Sequence, residues 1–226
     1  MKRVFAHFYA FFSRTSHGPE QRWPPVIAVI VILVLQLTLA ERYSVGPTWV
    51  VPIFEFLLLL PFTYAAFRKQ QPENTPTRVF NVILIAVINI FNFCSLLLLI
   101  ETLVGGKATS GVLLLENALK MWITNVIAFS LWYWEMDRGG PARRLMKAKR
   151  HEDFLFPQMG NPDFAQQGWV PDFWDYLYVS FTNATAFSPT DTLPLTGRAK
   201  LLMMFQSFIA LLTITLVAAR AVNILK

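Results

Sequence analysis

The chain has 226 residues, a formal net charge of +6, 54% hydrophobic residues and 15% charged residues. Soluble domains carry about 25% charged residues, so this composition and several long apolar runs predict an integral membrane protein. The basic excess then indicates cytoplasmic loops beside anionic lipid, and we expect no nucleic-acid partner. The single cysteine, Cys94, lies in an apolar run, so the sequence offers no disulfide framework and no metal cluster.

Residues 1–134 are predicted to form an interfacial segment followed by a four-helix membrane bundle. Within residues 1–23, the run VFAHFYAFF favours a small amphipathic segment over a cleavable signal peptide, with a frayed terminus as the alternative. Residues 24–134 contain four apolar runs, and we predict helical spans at 25–40, 48–67, 79–104 and 112–134. Aromatic residues near the ends of these runs are typical of headgroup depth.

Residues 135–171 form the longest polar stretch and are predicted to be a basic cytoplasmic loop. Six basic residues lie within 138–150, and the amino-terminal arm has four, whereas the opposite side of the first four spans has only Arg42 and Lys107. The positive-inside rule therefore places both the loop and the amino terminus in the cytoplasm. We interpret Glu135, Asp137 and Arg138 as a solvated helix end, with a cytoplasmic gate or lipid-headgroup site as the alternative. The second half of the loop is expected to be irregular.

Residues 172–226 combine a short apolar segment, a polar turn and a long apolar segment. The aromatic-rich run 173–187 has 15 residues, fewer than the about 20 that a spanning helix needs, whereas 201–225 is long enough. We therefore predict an all-α integral membrane protein with four transmembrane helices, a short re-entrant helix and a long final transmembrane helix. If 173–187 crosses instead, the count of basic residues on each side is unchanged, so the side of the carboxyl terminus stays open.

The segment 180–196, SFTNATAFSPTDTLPLT, resembles the pore-helix and filter segment of potassium channels, whose pattern runs roughly SFVTLTTVGYGDIVPLT. The residues shared without a gap are Ser180, Phe181, Thr185, Asp191, Pro194, Leu195 and Thr196. The chain also resembles a bacterial family of multi-pass membrane proteins without assigned activity, in which an FP dipeptide (here Phe156-Pro157) precedes the short helix. The resemblance to potassium channels covers about a quarter of the chain. It implies a location in the bacterial inner membrane and a homo-oligomer, of which a tetramer is one form.

The filter-like segment departs from the potassium-channel pattern at its centre. It consists of Thr185, Ala186, Phe187, Ser188, Pro189, Thr190 and Asp191. Ser188 and Thr190 replace both glycines, Pro189 fixes its own φ, and Ala186 lacks the hydroxyl of the first filter threonine. Because a potassium filter needs aligned backbone carbonyls, we expect no potassium selectivity. A short helix packed in a bundle without a pore is the alternative.

Several polar residues are predicted to lie inside the membrane, where a charge needs a partner or a function. They are Glu55, Asn81, Asn89, Asn92, Glu101, Glu116, Lys120, Gln206 and Ser207. Glu116 and Lys120 are four residues apart, so we expect them to share a helix face and pair. The asparagines form a stripe on the third span that favours interhelical hydrogen bonds over a water-filled cavity. An ion or proton path through the glutamates and Lys120 is the functional alternative, and Glu101 alone is expected to reach the interface.

The sequence offers no recognisable catalytic residue, metal-ligand set or cofactor site, because its three histidines are scattered and no phosphate loop or serine elbow is present. We therefore expect a channel-like protein rather than an enzyme, one that lets an ion or small solute permeate without potassium selectivity. The alternatives are a non-conducting membrane scaffold or partner subunit, and a proton-coupled carrier that uses Glu55 and Glu116. The expected partners are the lipid bilayer and further copies of the chain.

Overall fold

The computed structural model describes residues 23–44, 46–67, 75–105, 110–145, 151–160, 169–185 and 191–224. Nearly all of the interfacial segment predicted for 1–23, and residues 186–190 of the filter-like segment, lie outside these ranges. The described chain is mostly helical, as predicted.

In the described residues, four helices of 18 to 30 residues and two shorter helices of 15 and 13 residues make up the bundle. They are α1 (Trp23–Leu37), α2 (Val50–Phe67), α3 (Thr75–Val104), α4 (Gly111–Met136), α7 (Phe173–Thr185) and α8 (Gly197–Ile224). Three apolar stretches are long enough to cross a membrane, namely Arg78–Val104, Gly111–Gly139 and Gly197–Ala218. The predicted third, fourth and final spans are therefore confirmed as helices of spanning length. The helix at the first predicted span, α1, is apolar but has only 15 residues.

Short elements occupy the polar stretch between α4 and α7. A 3-10 turn at Asp137–Gly139 leads into α5 (Pro141–Leu145), and β1 (Phe154–Leu155) precedes α6 (Pro157–Gly160). Strand β1 pairs antiparallel with β2 (Leu193–Pro194), with Phe154 opposite Pro194. The prediction of an irregular second half of the loop was therefore wrong for residues 154–160. The aromatic side chains explain the difference, because Phe154 and Phe156 are buried and cannot remain in solvent.

Helix α4 is the centre of the bundle and contacts α1, α3, α7 and α8. Its carboxyl-terminal half contributes large buried side chains, including Phe129, Tyr133 and Trp134. The ring of Tyr133 lies edge-on to Phe154 at 5.2 Å between centroids, and the ring of Trp134 lies edge-on to Phe173 at 6.3 Å. These contacts hold the 151–156 segment and the start of α7 against the end of α4.

Helices α7 and α8 both begin beside the end of α4. Tyr176, in the first turn of α7, donates a hydrogen bond to Asp137 just after α4, and Ser180, one turn later, donates to the carbonyl of Val126. Since contacts move back along α4 as α7 advances, the two helices are antiparallel. Arg198, in the first turn of α8, binds Asp153, whose amide donates to Asp137. The start of α8 therefore lies at the level of Asp137, as the start of α7 does.

Candidate functional site

The pore-like module starts with a capping box at the amino end of α7. The Asp172 carboxylate accepts hydrogen bonds from the amides of Trp174 and Asp175 at 2.9 and 3.3 Å, and Asp175 accepts one from the Asp172 amide at 2.8 Å. Burial, together with the nearby charge of Asp172, raises the pKa of Asp175 to about 7. Burial also raises the pKa of Asp172. The start of α7 thus carries two carboxyls that resist ionising together.

The ends of the predicted filter-like segment are in the described structure, and its centre is not. Thr185 is the last residue of α7, and its hydroxyl donates to the Thr182 carbonyl at 3.0 Å. Asp191 is exposed ahead of β2. Ala186, Phe187, Ser188, Pro189 and Thr190 lie outside the described residues. With 13 residues, α7 is about 20 Å long at 1.5 Å per residue, against about 30 Å for a bilayer core.

A buried polar network joins the middle of α7 to α4 and α8, with Gln206 as its hub. The Gln206 amide donates to the carbonyl and hydroxyl of Ser180 at 2.9 and 2.7 Å, and its oxygen accepts from Tyr133 and from Asn183, the latter at 2.8 Å. Ser207 donates to Asn183 at 3.0 Å. Gln206 and Ser207 therefore hold α8 closely against α7, and the polar side of α7 faces the protein interior.

An ionic junction lies where α4, α7 and α8 meet, and Asp153 is its centre. The fully buried Asp153 carboxylate accepts two hydrogen bonds from the Arg198 guanidinium, at 2.7 and 2.6 Å, and one from the Thr196 hydroxyl at 2.6 Å. The Asp153 amide donates to Asp137 at 2.8 Å, and Tyr176 donates to the other Asp137 oxygen at 2.6 Å. A two-bonded arginine–carboxylate pair fixes orientation as well as distance, so the junction sets the position of α8.

The interpretation of Glu135, Asp137 and Arg138 as a solvated helix end was wrong. The Glu135 and Asp137 side chains are 1% and 0% exposed, and Glu135 lies 3.5 Å from Arg78 on α3. Arg138 has a φ of +53°, a conformation that costs energy for a side-chain-bearing residue. It is held by an amide hydrogen bond to Asp153 and an ion pair with Glu152 at 2.9 Å. Their partners lie up to 57 residues away in the sequence, as Arg78 does from Glu135, so no local sequence pattern predicts the burial.

Arg144 closes the carboxyl end of α4. Its guanidinium donates to the carbonyls of Trp134 and Asp137, which are among the last acceptors of the helix, and it lies 5.0 Å from the ring centroid of Tyr176. A cation at a helix carboxyl terminus is favourable because the terminal carbonyls carry partial negative charge. The basic run of the sequence therefore supplies at least one structural residue at the junction.

The predicted intramembrane residues are distributed over several sites in the amino-terminal half. The Lys120 ammonium lies 2.6 Å from Glu116, which confirms their pairing, and it also donates to the Thr38 carbonyl at 2.7 Å. Asn92 donates across to the Met121 carbonyl of α4 at 3.3 Å, as predicted for interhelical bonding, whereas Asn89 donates within α3 to the Ile85 carbonyl. Glu101 is exposed. These residues do not form one continuous path among the described parts of the chain.

A small cavity lies among α1, α2, α3 and α4. Its volume is about 20 Å³, and its polar lining is Gln36, Ser44, Thr48, Asn92, Ser95, Lys120 and Thr124. A space of this size holds about one water molecule. Glu55 is fully buried one helical turn from the cavity-lining Val51, and the Gln36 amide donates to it at 3.2 Å.

Comparison of the chain with protein-family models, with curated proteins and with solved structures finds no match. The site is therefore interpreted from its own geometry.

Proposed function

We propose that this chain is a channel-like membrane protein through which an ion or small solute permeates without potassium selectivity. In this proposal the protein lies in a bacterial inner membrane with its amino terminus in the cytoplasm. Helices α1 to α4 are the four first spans, α7 is re-entrant, and α8 is the final span. Copies of the chain assemble around the α7–α8 module.

One observation carries the proposal: α7 and α8 start at the same end of α4. Tyr176 and Arg198 reach the Asp137–Asp153 pair from the first turns of the two helices. A helix of about 20 Å that is followed by a return to its own starting level is the geometry of a re-entrant pore helix. Because the 135–171 loop is predicted to be cytoplasmic, the module enters from the cytoplasmic side.

Assembly of several copies follows from the cost of irregular backbone in lipid. Non-helical backbone at membrane depth is tolerated only where protein or water surrounds it. A helix that ends within the membrane, as we propose for α7 at Thr185, leaves its last carbonyls in that position. Neighbouring copies around a water-filled axis would supply both kinds of surroundings. The sequence differs from potassium channels at the filter itself, so the permeating species is a different one.

The experiment is flux through purified protein in liposomes under potassium, sodium, chloride and proton gradients. We expect flux above that of empty liposomes for at least one species, and no preference for potassium over sodium. The triple variant Ser188→Gly, Pro189→Tyr and Thr190→Gly should move selectivity toward potassium. The matched control is Val112→Ala, at an α4 position that is 75% exposed, and it should leave flux unchanged. Flux at the empty-liposome level under all four gradients would contradict the proposal.

A second candidate is a non-conducting scaffold or partner subunit. It is favoured by the network around Gln206, in which Ser180 and Asn183 of α7 bond to α4 and α8 of the same protomer. These bonds account for the position of α7 as a helix packed within its own protomer, so no pore is needed to explain it. Folded protein that forms defined oligomers yet conducts nothing would support this candidate over the first.

A further inference from the structure

A second site is formed in the amino-terminal half of the bundle by two unpartnered oxygens. The Glu55 side chain is fully buried, and its only described hydrogen bond is the 3.2 Å contact from the Gln36 amide to one carboxyl oxygen. The other Glu55 oxygen and the Gln36 side-chain oxygen are buried without hydrogen-bond partners among the described residues. Both oxygens are hydrogen-bond acceptors, so they cannot bond to each other. Each needs a cation or a proton as its partner.

No described basic side chain neutralises Glu55. Helix α1 carries no ionisable side chain. On α3, Arg78 pairs with Glu135, Cys94 is neutral, and Glu101 is exposed. On α4, the Lys120 ammonium is engaged by Glu116 at 2.6 Å and by the Thr38 carbonyl at 2.7 Å.

The charge balance therefore leaves Glu55 in excess. The Glu116–Lys120 pair is neutral as a unit, and an ionised Glu55 would remain alone in an apolar interior. A lone charge in that position is strongly unfavourable, and such a group binds a compensating cation or a proton.

The adjoining cavity has the size and chemistry for one small ligand. Gln36 belongs both to the cavity wall and to the Glu55 contact. The remaining polar wall includes the hydroxyls of Ser44, Thr48, Ser95 and Thr124. Oxygen donors are the ligands that hard cations prefer, and about 20 Å³ accommodates a single water or an ion of similar size.

We infer that Glu55, Gln36 and the adjoining cavity bind one small cation, a proton or Na⁺, in the α1–α4 half of the protein. This site is separate from the α7–α8 module and does not depend on whether that module conducts. It has no room for a larger solute, so cation binding rather than solute transport is the property assigned to it.

The test is labelling of the full chain in detergent with dicyclohexylcarbodiimide, which reacts with protonated carboxyls in apolar surroundings, followed by mass-spectrometric mapping. Without Na⁺, we expect Glu55 to be labelled at acidic pH, and labelling to fall about tenfold per pH unit on the alkaline limb, as for one titrating proton. Na⁺ added at fixed pH distinguishes the two ligands. Protection by Na⁺ but not by choline identifies a site that binds both, and no protection identifies a proton site. Absence of Glu55 labelling at every pH, or labelling that does not change with pH, overturns the inference.

Three variants connect the labelling to the geometry. Glu55→Gln should remove the labelled peptide, and Glu101→Gln, at an exposed carboxyl on the neighbouring helix, should leave it unchanged. Gln36→Leu removes the amide that donates to Glu55, together with the unpartnered Gln36 oxygen, but keeps Glu55. The apparent proton affinity read from the pH midpoint of labelling, or the Na⁺ concentration that gives half protection, should therefore change about fivefold or more, the equivalent of about 1 kcal/mol. An unshifted Gln36→Leu protein would show that the cavity is not part of the site. Because the wild-type measurement needs no substitution, a variant that fails to fold does not prevent the test.

Discussion

The two halves of the bundle are held together differently. In the carboxyl-terminal half, α4, α7 and α8 are joined by connected networks, in which Gln206 and Asp153 each make several side-chain contacts with other elements. The described polar contacts of the amino-terminal half are smaller, such as the Ala40 amide to Asn117 at 3.0 Å and Gln36 to Glu55. A spanning helix is oriented by the bilayer itself, whereas a helix of 13 residues is not. Since lipid provides no hydrophobic drive between helices, the short helix depends on polar contacts for its position.

The contrast between the two halves predicts that the ionic junction around Asp153 contributes a large part of the stability. Asp153→Asn keeps the shape of the side chain but removes the charge that binds Arg198 and Thr196. We expect the free energy of unfolding to fall by about 3 kcal/mol, at the lower end for breaking a buried ion pair, because the Arg198 side chain is 56% exposed and water can replace part of the contact. Unfolding in mixed micelles with rising SDS, followed by tryptophan fluorescence, measures the change.

The matched control is Asp191→Asn, an aspartate-to-asparagine change at an exposed position, which should have little effect. A loss below about 1 kcal/mol for Asp153→Asn would place the junction among ordinary surface ion pairs. The two halves would then be equally dependent on apolar packing.

A second prediction concerns the pH dependence of the carboxyl-terminal half. The pKa of Asp175 rises from its ordinary value of 3.8 to about 7 in the folded protein. The folded state therefore binds the proton more tightly than the unfolded state, so this group's stabilising contribution is full below 3.8 and is lost as pH rises toward about 7. Asp175→Asn keeps an oxygen that accepts from the Asp172 amide, and it should flatten the fall in stability over this range. Unfolding midpoints at several pH values test this.

The same pH series on Asp191→Asn provides the control, because Asp191 is exposed and lies outside the capping box. If wild type and Asp175→Asn lose stability in parallel between acidic and neutral pH, the buried acid pair is not the cause. Titration elsewhere in the carboxyl-terminal half would then have to account for the fall.

The sequence predicts the long helices well because their signal is local. The runs 79–104 and 112–134 differ by only a few residues from Thr75–Val104 and Gly111–Met136, since each helix needs a continuous apolar stretch of fixed length. The Glu116–Lys120 pair was equally predictable, because its spacing places both side chains on one face. The burial of Asp137 was not predictable, because its partners at Asp153 and Tyr176 come from distant segments and charged residues after a span usually lie in water.

The third and smallest effect is expected at the Glu116–Lys120 pair, and its size measures the environment of the amino-terminal half. Glu116 is 55% exposed and Lys120 16% exposed, so in a watery interface the coupling should be about 0.5 kcal/mol, as for helix pairs four residues apart. A double-mutant cycle with Glu116→Gln, Lys120→Met and the double variant isolates this coupling from the separate bond of Lys120 to Thr38. A coupling above about 2 kcal/mol would mean that lipid or protein excludes water from this turn of α4, because an ion pair strengthens as the local dielectric falls. In that case the amino-terminal half would also depend on a charge pair, and the contrast between the halves would be one of number rather than of kind.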